Sequence, residues 1–351
     1  MKKTTLIHLR KRFQFSAQAP QSILTIKKRF NAMNKPVRSL MLISSLLGIC
    51  AFGASNIASA ACIPLPGTLD SDGMPFCPDE VKNNSAAAVF TCAREQTTVW
   101  HAPTAREKTN LAGIISAFKI SVDEGISVST TADILANADA LNLQACRVKN
   151  DRTYLGQTEH DSYLLLYTKP GVKTYSGPFL LLREVNPSKL IFISPHDGSD
   201  GTHASTKLAL QNSHALAVVS NGHLKSMYDF VDHSDSMGAA AVRQLNLRFP
   251  KSVWLHIHGM ASSGHVLYRS RDTLGRTFAN AFEKGIVDCT GIPKGAFGSF
   301  NASYVTDAII ESPYSLKTEI PSGIHTNNPS SMGCLARSIE NNAWAWPAAD
   351  Q

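Results

Sequence analysis

Six short apolar runs set the terms for the second half of the chain: SYLLLYT (162–168), PFLLLREV (178–185), KLIFISP (189–195), HALAVVSNG (214–222), SVWLHIHG (252–259) and YVTDAIIES (304–312). Each is strand-sized, rich in β-branched or aromatic residues, and bounded by Gly, Pro, Asn or Ser. Helix-like stretches, ASTKLALQN and SDSMGAAAVRQLNLRF, lie between some of them. Near-continuous apolar strands need cover on both faces, and alternation with helices supplies that cover. The pattern predicts an α/β domain whose mixed, largely parallel sheet is flanked by helices. Open sheets of this kind gather ligands beyond the carboxyl ends of their strands.

The first half has a different texture. From Ala61 to about Arg106 the chain is rich in Pro, Gly, Asp and Cys, which predicts an irregular, stapled lead-in. Two helical patterns follow, TAREKTNLAGIISAFK and TTADILANADALNLQA, with apolar residues at spacings of three and four. No internal repeat or low-complexity tract is present. The expected organisation is an address region over 1–60, a Cys-containing lead-in with helices over 61–150, and a catalytic α/β domain over 151–351.

Charge is unevenly spread. The formal net charge is +7, yet residues 1–60 hold ten Lys or Arg and no Asp or Glu. Within them SLMLISSLLGICAFGASNIASA runs apolar to Ala58-Ser59-Ala60, with Lys35 and Arg38 just ahead. A basic start, an apolar middle and a small-residue end make a secretory signal. The run is short for a membrane span, and Ile49 stands where lipid attachment at Cys50 would want a small residue. Residues before Met33 are surplus to such a signal, which makes Met33 a candidate start of translation. Cleavage after Ala60 removes ten of the 34 basic residues and none of the 27 acidic ones, leaving −3. No nucleic-acid partner is expected, because that affinity comes from clustered Lys and Arg neutralising phosphates. No membrane span is expected in the mature chain. The compartment is periplasmic or extracellular, and the oligomeric state is open.

Six of the seven cysteines lie beyond residue 60: Cys62, Cys77, Cys92, Cys146, Cys289 and Cys334. An even number in an exported chain allows up to three disulfides, with fifteen possible pairings. No C-x-x-C pair occurs, which argues against a cysteine zinc site or a redox centre.

The polar residues collect at strand ends. KLIFIS runs into Pro195-His196-Asp197-Gly198-Ser199-Asp200-Gly201-Thr202, ALAVVS into Asn221-Gly222-His223, and VWLHIHG ends in His258-Gly259. Neutral imidazoles and carboxylates converging on one point make a divalent-ion site, and a catalytic zinc keeps one position open for water. His196 follows a strand and a Pro, and either Asp200 or Asp197 can return to the same ion around Gly198. His256 and His258 share one side of their strand by its period of two. His258 lies at the strand end and is the better ligand, with His256 packing or orienting; a three-His set of His196, His256 and His258 is the variant. A bland alternative reads the acidic turn as a solvated loop of good turn formers.

Two other readings of that turn fail on spacing. An EF-hand loop beginning at Asp197 needs a Glu at its twelfth position, which is Leu208. A nucleophile elbow needs Gly two residues before Ser199, where Asp197 stands. A metal hydrolase also needs a base for proton transfer. ESPYSLKTEIPSGIHTN offers Glu311 and Glu319, the latter in an alternating context between Thr318 and Ile320. Asp229, Asp232, His233 and Asp235 form either an exposed helix start or part of the site's rim.

The order of these motifs, a Pro-His-x-Gly turn, Asn-Gly after the next strand, Asp-x-x-Asp-His, His-Gly on a later strand and a late Glu, resembles the N-formylglutamate amidohydrolase and phage-type poly-γ-glutamate hydrolase families. Both are similar in fold to zinc carboxypeptidases. The likeness covers roughly residues 160–340. It implies a zinc ion held by His196, Asp200 and His258, with Glu319 as general base. The sequence departs from the pattern where Ser199 occupies the usual place of a Glu ligand, three residues after the first His, so Asp200 must reach the ion with a side chain one methylene shorter. The substrate-binding Arg is left among Arg243, Arg248, Arg269, Arg276 and Arg337.

Two functions are therefore expected from this sequence. The first is an exported zinc-dependent hydrolase of peptide or γ-glutamyl amide bonds, acting on a small peptide or amide substrate. The second is a secreted, non-catalytic binding protein on the same α/β scaffold.

Overall fold

The computed structural model describes residues 67–77, 101–154, 156–169, 172, 178–196, 202, 206, 209–210, 212–221, 235–260, 266–270, 275–299, 315–321, 324 and 330–342. The chain divides into Met1–Ala60 and Ala61–Gln351; the first part, and the signal expected in it, lie outside the described residues.

Among the described residues two helices come first, α1 (Ala105–Glu124) and α2 (Val128–Ala140). A reciprocal capping box starts α1: the Thr104 hydroxyl accepts from the Glu107 amide at 3.2 Å, and the Thr104 amide donates to the Glu107 carboxylate at 2.6 Å. Gly125, at φ 94°, ends it. Ser127 and Thr130 cap α2 in the same way. The sequence pattern extended this second helix to Ala145, but it stops at Ala140. Asn142 turns to φ 53°, a left-handed conformation that Asn tolerates, and the chain enters a strand at Leu143.

Among the described residues nine strands follow: β1 (Leu143–Tyr154), β2 (Gln157–Thr168), β3 (Pro178–Arg183), β4 (Leu190–Ser194), β5 (Ala217–Asn221), β6 (Val253–Met260), β7 (Val266–Ser270), β8 (Phe297–Ser299) and β9 (Ser315–Pro321). Their order across the sheet is β1-β2-β3-β5-β4-β6-β9-β7-β8. The neighbours β5, β4, β6 and β9 run parallel, and β7 and β8 are parallel to each other. The β1-β2-β3 meander joins β5 antiparallel, and β7 joins β9 antiparallel. This is the mixed α/β sheet expected, with the parallel run β5-β4-β6-β9 at its centre and a second parallel pair, β7-β8, at one edge. Residue 150, where the sequence changes texture, falls inside β1. The run 304–312 lies outside the described residues.

Three further helices are α3 (Met237–Arg248), α4 (Gly275–Thr290) and α5 (Ser330–Asn341). On one face of the sheet, α1, α2 and α3 bring Leu111, Phe118, Ile134 and Leu245 onto Ile191, Ile193 and Trp254. On the other, α4 and α5 bring Phe278, Phe282, Leu335 and Ile339 onto Phe192, Leu255 and Ile257. Alternation along β4 and β6 divides these residues between the two cores, each fully buried large side chain contributing about 1.5–3 kcal/mol. Gly285 lets α4 approach α5, since a Cβ there would come within 3.0 Å of Leu335 Cδ1. Cys289 and Cys334 then join the two helices by a disulfide. Among the described residues no helix is long and apolar enough to cross a membrane.

The lead-in is fixed to the sheet edge. Leu69 bridges Pro75, Phe76 bridges Arg147, and Cys77 is disulfide-bonded to Cys146 on β1. Cys62 and Cys92 lie outside the described residues. Beneath this strap Arg147 is 1% exposed and uses all five guanidinium donors. It bonds Glu184 at 2.8 and 2.9 Å, Asp72 at 2.5 and 2.9 Å, and Asp70 at 2.9 Å. Thr131 of α2 donates to Asp72, so the same ion network ties the strap to a helix.

Candidate active site

The carboxyl ends of β4, β6 and β9, adjacent in the sheet, carry the residues of interest. His196 lies two positions beyond the end of β4 and is buried. Trp254, His256 and His258 share one face of β6, the face covered by α1 to α3. On β9, Glu319 pairs in register with His258, and Lys317 with His256. Registered partners in a parallel pair share a face, so Glu319 stands beside His258. Glu319 is half-buried, whereas His258 and Lys317 are buried.

The two predicted imidazole ligands meet although 62 positions separate them. Their ring centroids are 4.9 Å apart with planes at 73°, and His196 Nδ1 lies 3.3 Å from His258 Nδ1. Two nitrogens each about 2.0–2.1 Å from one tetrahedral zinc sit roughly 3.3–3.4 Å apart, so this pair fits a shared ion. Asp200 and its alternative Asp197 lie outside the described residues. So do Glu311, His223, Asp229, Asp232 and His233. Asp235 is described and exposed. Among the described residues no group of three or more His, Cys, Asp or Glu is gathered in a way that could hold a metal ion.

His256 lies one step deeper on the same face and is fully buried. Neither of its ring nitrogens has a hydrogen-bond partner among the described residues. Burial, with the Lys317 charge adding to it, holds its pKa down at about 3, so the ring is neutral at physiological pH. Thr318 Oγ1 donates to the His256 carbonyl at 2.8 Å and ties β9 to β6 at this level.

Of the arginines considered for substrate, Arg248 is exposed in the last turn of α3, just before β6 begins and at the opposite end of the sheet. Arg337 lies on α5, against the other face. Arg243 lies half-buried on α3, and the side chains of Arg269 and Arg276 are outside the description.

One buried cluster was missed by sequence reasoning. Ser194 Oγ and Thr202 Oγ1 are 2.7 Å apart, and Ser220 Oγ donates to the Ser194 carbonyl at 2.6 Å. The available signal was a serine in the same position of two apolar strands, LIFIS and AVVS, which the sheet places side by side.

No protein-family model matches this chain, and no curated protein matches it significantly. Similar solved structures include a bacteriophage poly-γ-glutamate hydrolase, 12% identical, covering 48% of this chain and 90% of its own, with a TM-score of 0.33. A zinc-free YndL structure is 12% identical, covering 48% and 91%, with a TM-score of 0.35. A metallo-carboxypeptidase from Burkholderia cenocepacia is 15% identical, covering 61% and 67%, with a TM-score of 0.33. The hydrolase and carboxypeptidase likenesses read from the sequence thus recur among solved structures. At such identities they attach no activity to this chain.

Proposed function

We propose that this chain is an exported, zinc-dependent hydrolase of amide bonds, acting on peptide or γ-glutamyl linkages. The observation that carries the reading is the 3.3 Å approach of His196 Nδ1 to His258 Nδ1, with Glu319 in register beside His258. His196 and His258 would hold the ion through their facing nitrogens, with Asp200 as the third ligand. Bound there, zinc supplies charge for the carbonyl oxygen of the scissile amide and draws the pKa of a water molecule toward about 7. Glu319 accepts the proton released by the attacking water and returns it to the amide nitrogen as the C–N bond breaks. Its position on an internal strand fixes the backbone that presents it. His256, neutral and buried, does not compete for that proton.

Export is supported by the basic, then apolar, then small-residue order of residues 1–60 and by the two disulfides. The destination in this reading is the periplasm or the medium.

The experiment is metal analysis of the purified protein together with amide hydrolysis by the parent and Glu319→Gln. Stoichiometric zinc in both, with hydrolysis lost only in the variant, is expected. Full activity in Glu319→Gln removes Glu319 from the chemistry. A 3.3 Å separation also suits an N–H···N hydrogen bond between neutral rings. Protein without zinc, whose melting temperature zinc does not move, would leave that bond and the non-catalytic binding protein as the better reading.

A further inference from the structure

His196 lies between two buried hydroxyl-bearing residues, Ser194 and Thr202, that touch each other. Ser194 is the last residue of β4, Thr202 lies eight positions on, and His196, Asp197 and Asp200 fall between them. Both flanking residues are fully buried, and their hydroxyls are 2.7 Å apart. Ser220, the registered partner of Ser194 on β5, donates to the Ser194 carbonyl. The Thr202 carbonyl accepts from the Thr206 amide at 2.8 Å and the Thr206 hydroxyl at 2.9 Å. A continuous chain of bonds therefore runs from β5 through the end of β4 to Thr202 and Thr206.

Apolar residues occupy the rest of these strand cores, Leu190 to Ile193 and Ala217 to Val219. Hydroxyls placed next to them gain little over alkyl groups, because folding only exchanges their bonds to water for bonds to one another. Their distinctive property is direction. A hydroxyl pair is satisfied only at one separation, whereas packed methyl groups tolerate sliding.

We propose that Ser194, Thr202 and Ser220 are positioning residues whose bonds fix the chain on either side of His196 and so hold His196 Nδ1 at the distance from His258 Nδ1 that one ion requires. The inference rests on the zinc reading for its purpose, and its geometry can be tested without metal. Groups that orient ligands from outside commonly change metal affinity by about 10–100-fold.

The test compares Thr202→Val, Thr202→Ser and Ser213→Ala with the parent full-length protein. Ser213 is a fully buried hydroxyl-bearing residue outside the clasp. In metal-free protein, the rate of cleavage by an Asp-specific protease at Asp197 and Asp200 reads how well the bonds at Ser194 and Thr202 hold the chain between them; zinc affinity is read by titration against a chelator. Thr202→Val should speed cleavage at least about tenfold and weaken zinc about 10–100-fold, with both restored in Thr202→Ser and unchanged in Ser213→Ala. Cleavage and affinity in Thr202→Val within about twofold of the parent would overturn the proposal, as would equal changes in Ser213→Ala. Parent protein that takes up no zinc sinks the zinc reading, and the cleavage comparison alone then decides the clasp.

Discussion

Glu319 and His258 are registered neighbours on the parallel strands β9 and β6, side chains on the same face of the sheet. Such a pair cannot drift apart without breaking a central ladder, so the proposed base and the proposed ligand would keep their relation throughout a catalytic cycle. Replacing Glu319 by Gln keeps shape and removes basicity. Hydrolysis should fall by about 10²–10⁴-fold, while zinc content stays at the parent level by elemental analysis.

Zinc binding should appear as stability. With zinc at a hundred times its dissociation constant the native state gains about 2.7 kcal/mol, which a thermal melt reads as a raised Tm. His258→Ala should abolish the rise, as should His196→Ala, and the metal-free melts of both variants should be compared to separate ligand loss from damage to the fold.

His256 provides the opposite expectation. Its ring is buried and neutral without a hydrogen-bond partner among the described residues, so the folded state gains little from its polarity. His256→Leu should leave zinc uptake intact and change stability by no more than about 1 kcal/mol, in either direction. Lost zinc would instead point to the three-His set.

Acid should loosen the strap. Burial pulls the Asp70 carboxyl upward, but hydrogen bonds from Lys149, the Ser71 amide and Arg147 outweigh it and hold the pKa at about 2. Asp72 is also lowered: burial opposes, and Arg147 and Thr131 prevail. Carboxyls depressed in the folded state stabilise it above their unfolded pKa, near 4, and that stabilisation is lost as pH falls toward the folded value. Stability should therefore drop between about pH 4 and 2. Asp70→Asn should flatten part of that decline, on the order of 1–2 kcal/mol, in urea titrations at stepped pH.

The Cys77–Cys146 bridge spans 69 positions. Replacing both residues with Ser should lower stability by about 2–4 kcal/mol, measured by denaturant unfolding under non-reducing conditions.

Strands buried on both faces declared themselves in the sequence because nothing but apolar residues suits them, and β2 to β6 were legible for that reason. β1, LQACRVKNDRTY, was not. It lies at the edge of the meander and carries polar residues whose partners, Asp72 and Glu184 for Arg147, are remote in sequence. Pairings of that kind exist only once the chain is folded. The strand-end placement of His196 and His258 was legible because both end apolar runs. The hydroxyls of Ser194, Thr202 and Ser220 passed unnoticed, since Ser and Thr at a strand end look like ordinary turn formers until register aligns them. Gly285 within α4 gives no reason for itself in the sequence, because that reason is contact with another helix.

The strap has a consequence for how copies of this protein meet. A free strand edge is a template on which a second molecule can add its own strand. At Arg147 that template is already taken: the Arg147 amide donates to the Pro75 carbonyl at 2.8 Å, and the Cys77 amide to the Arg147 carbonyl at 2.9 Å. The opposite margin is β8, three residues long. Reduction of Cys77–Cys146 would release the tether on that guard, so the oxidised protein should resist sheet-to-sheet polymerisation in a way the reduced one does not.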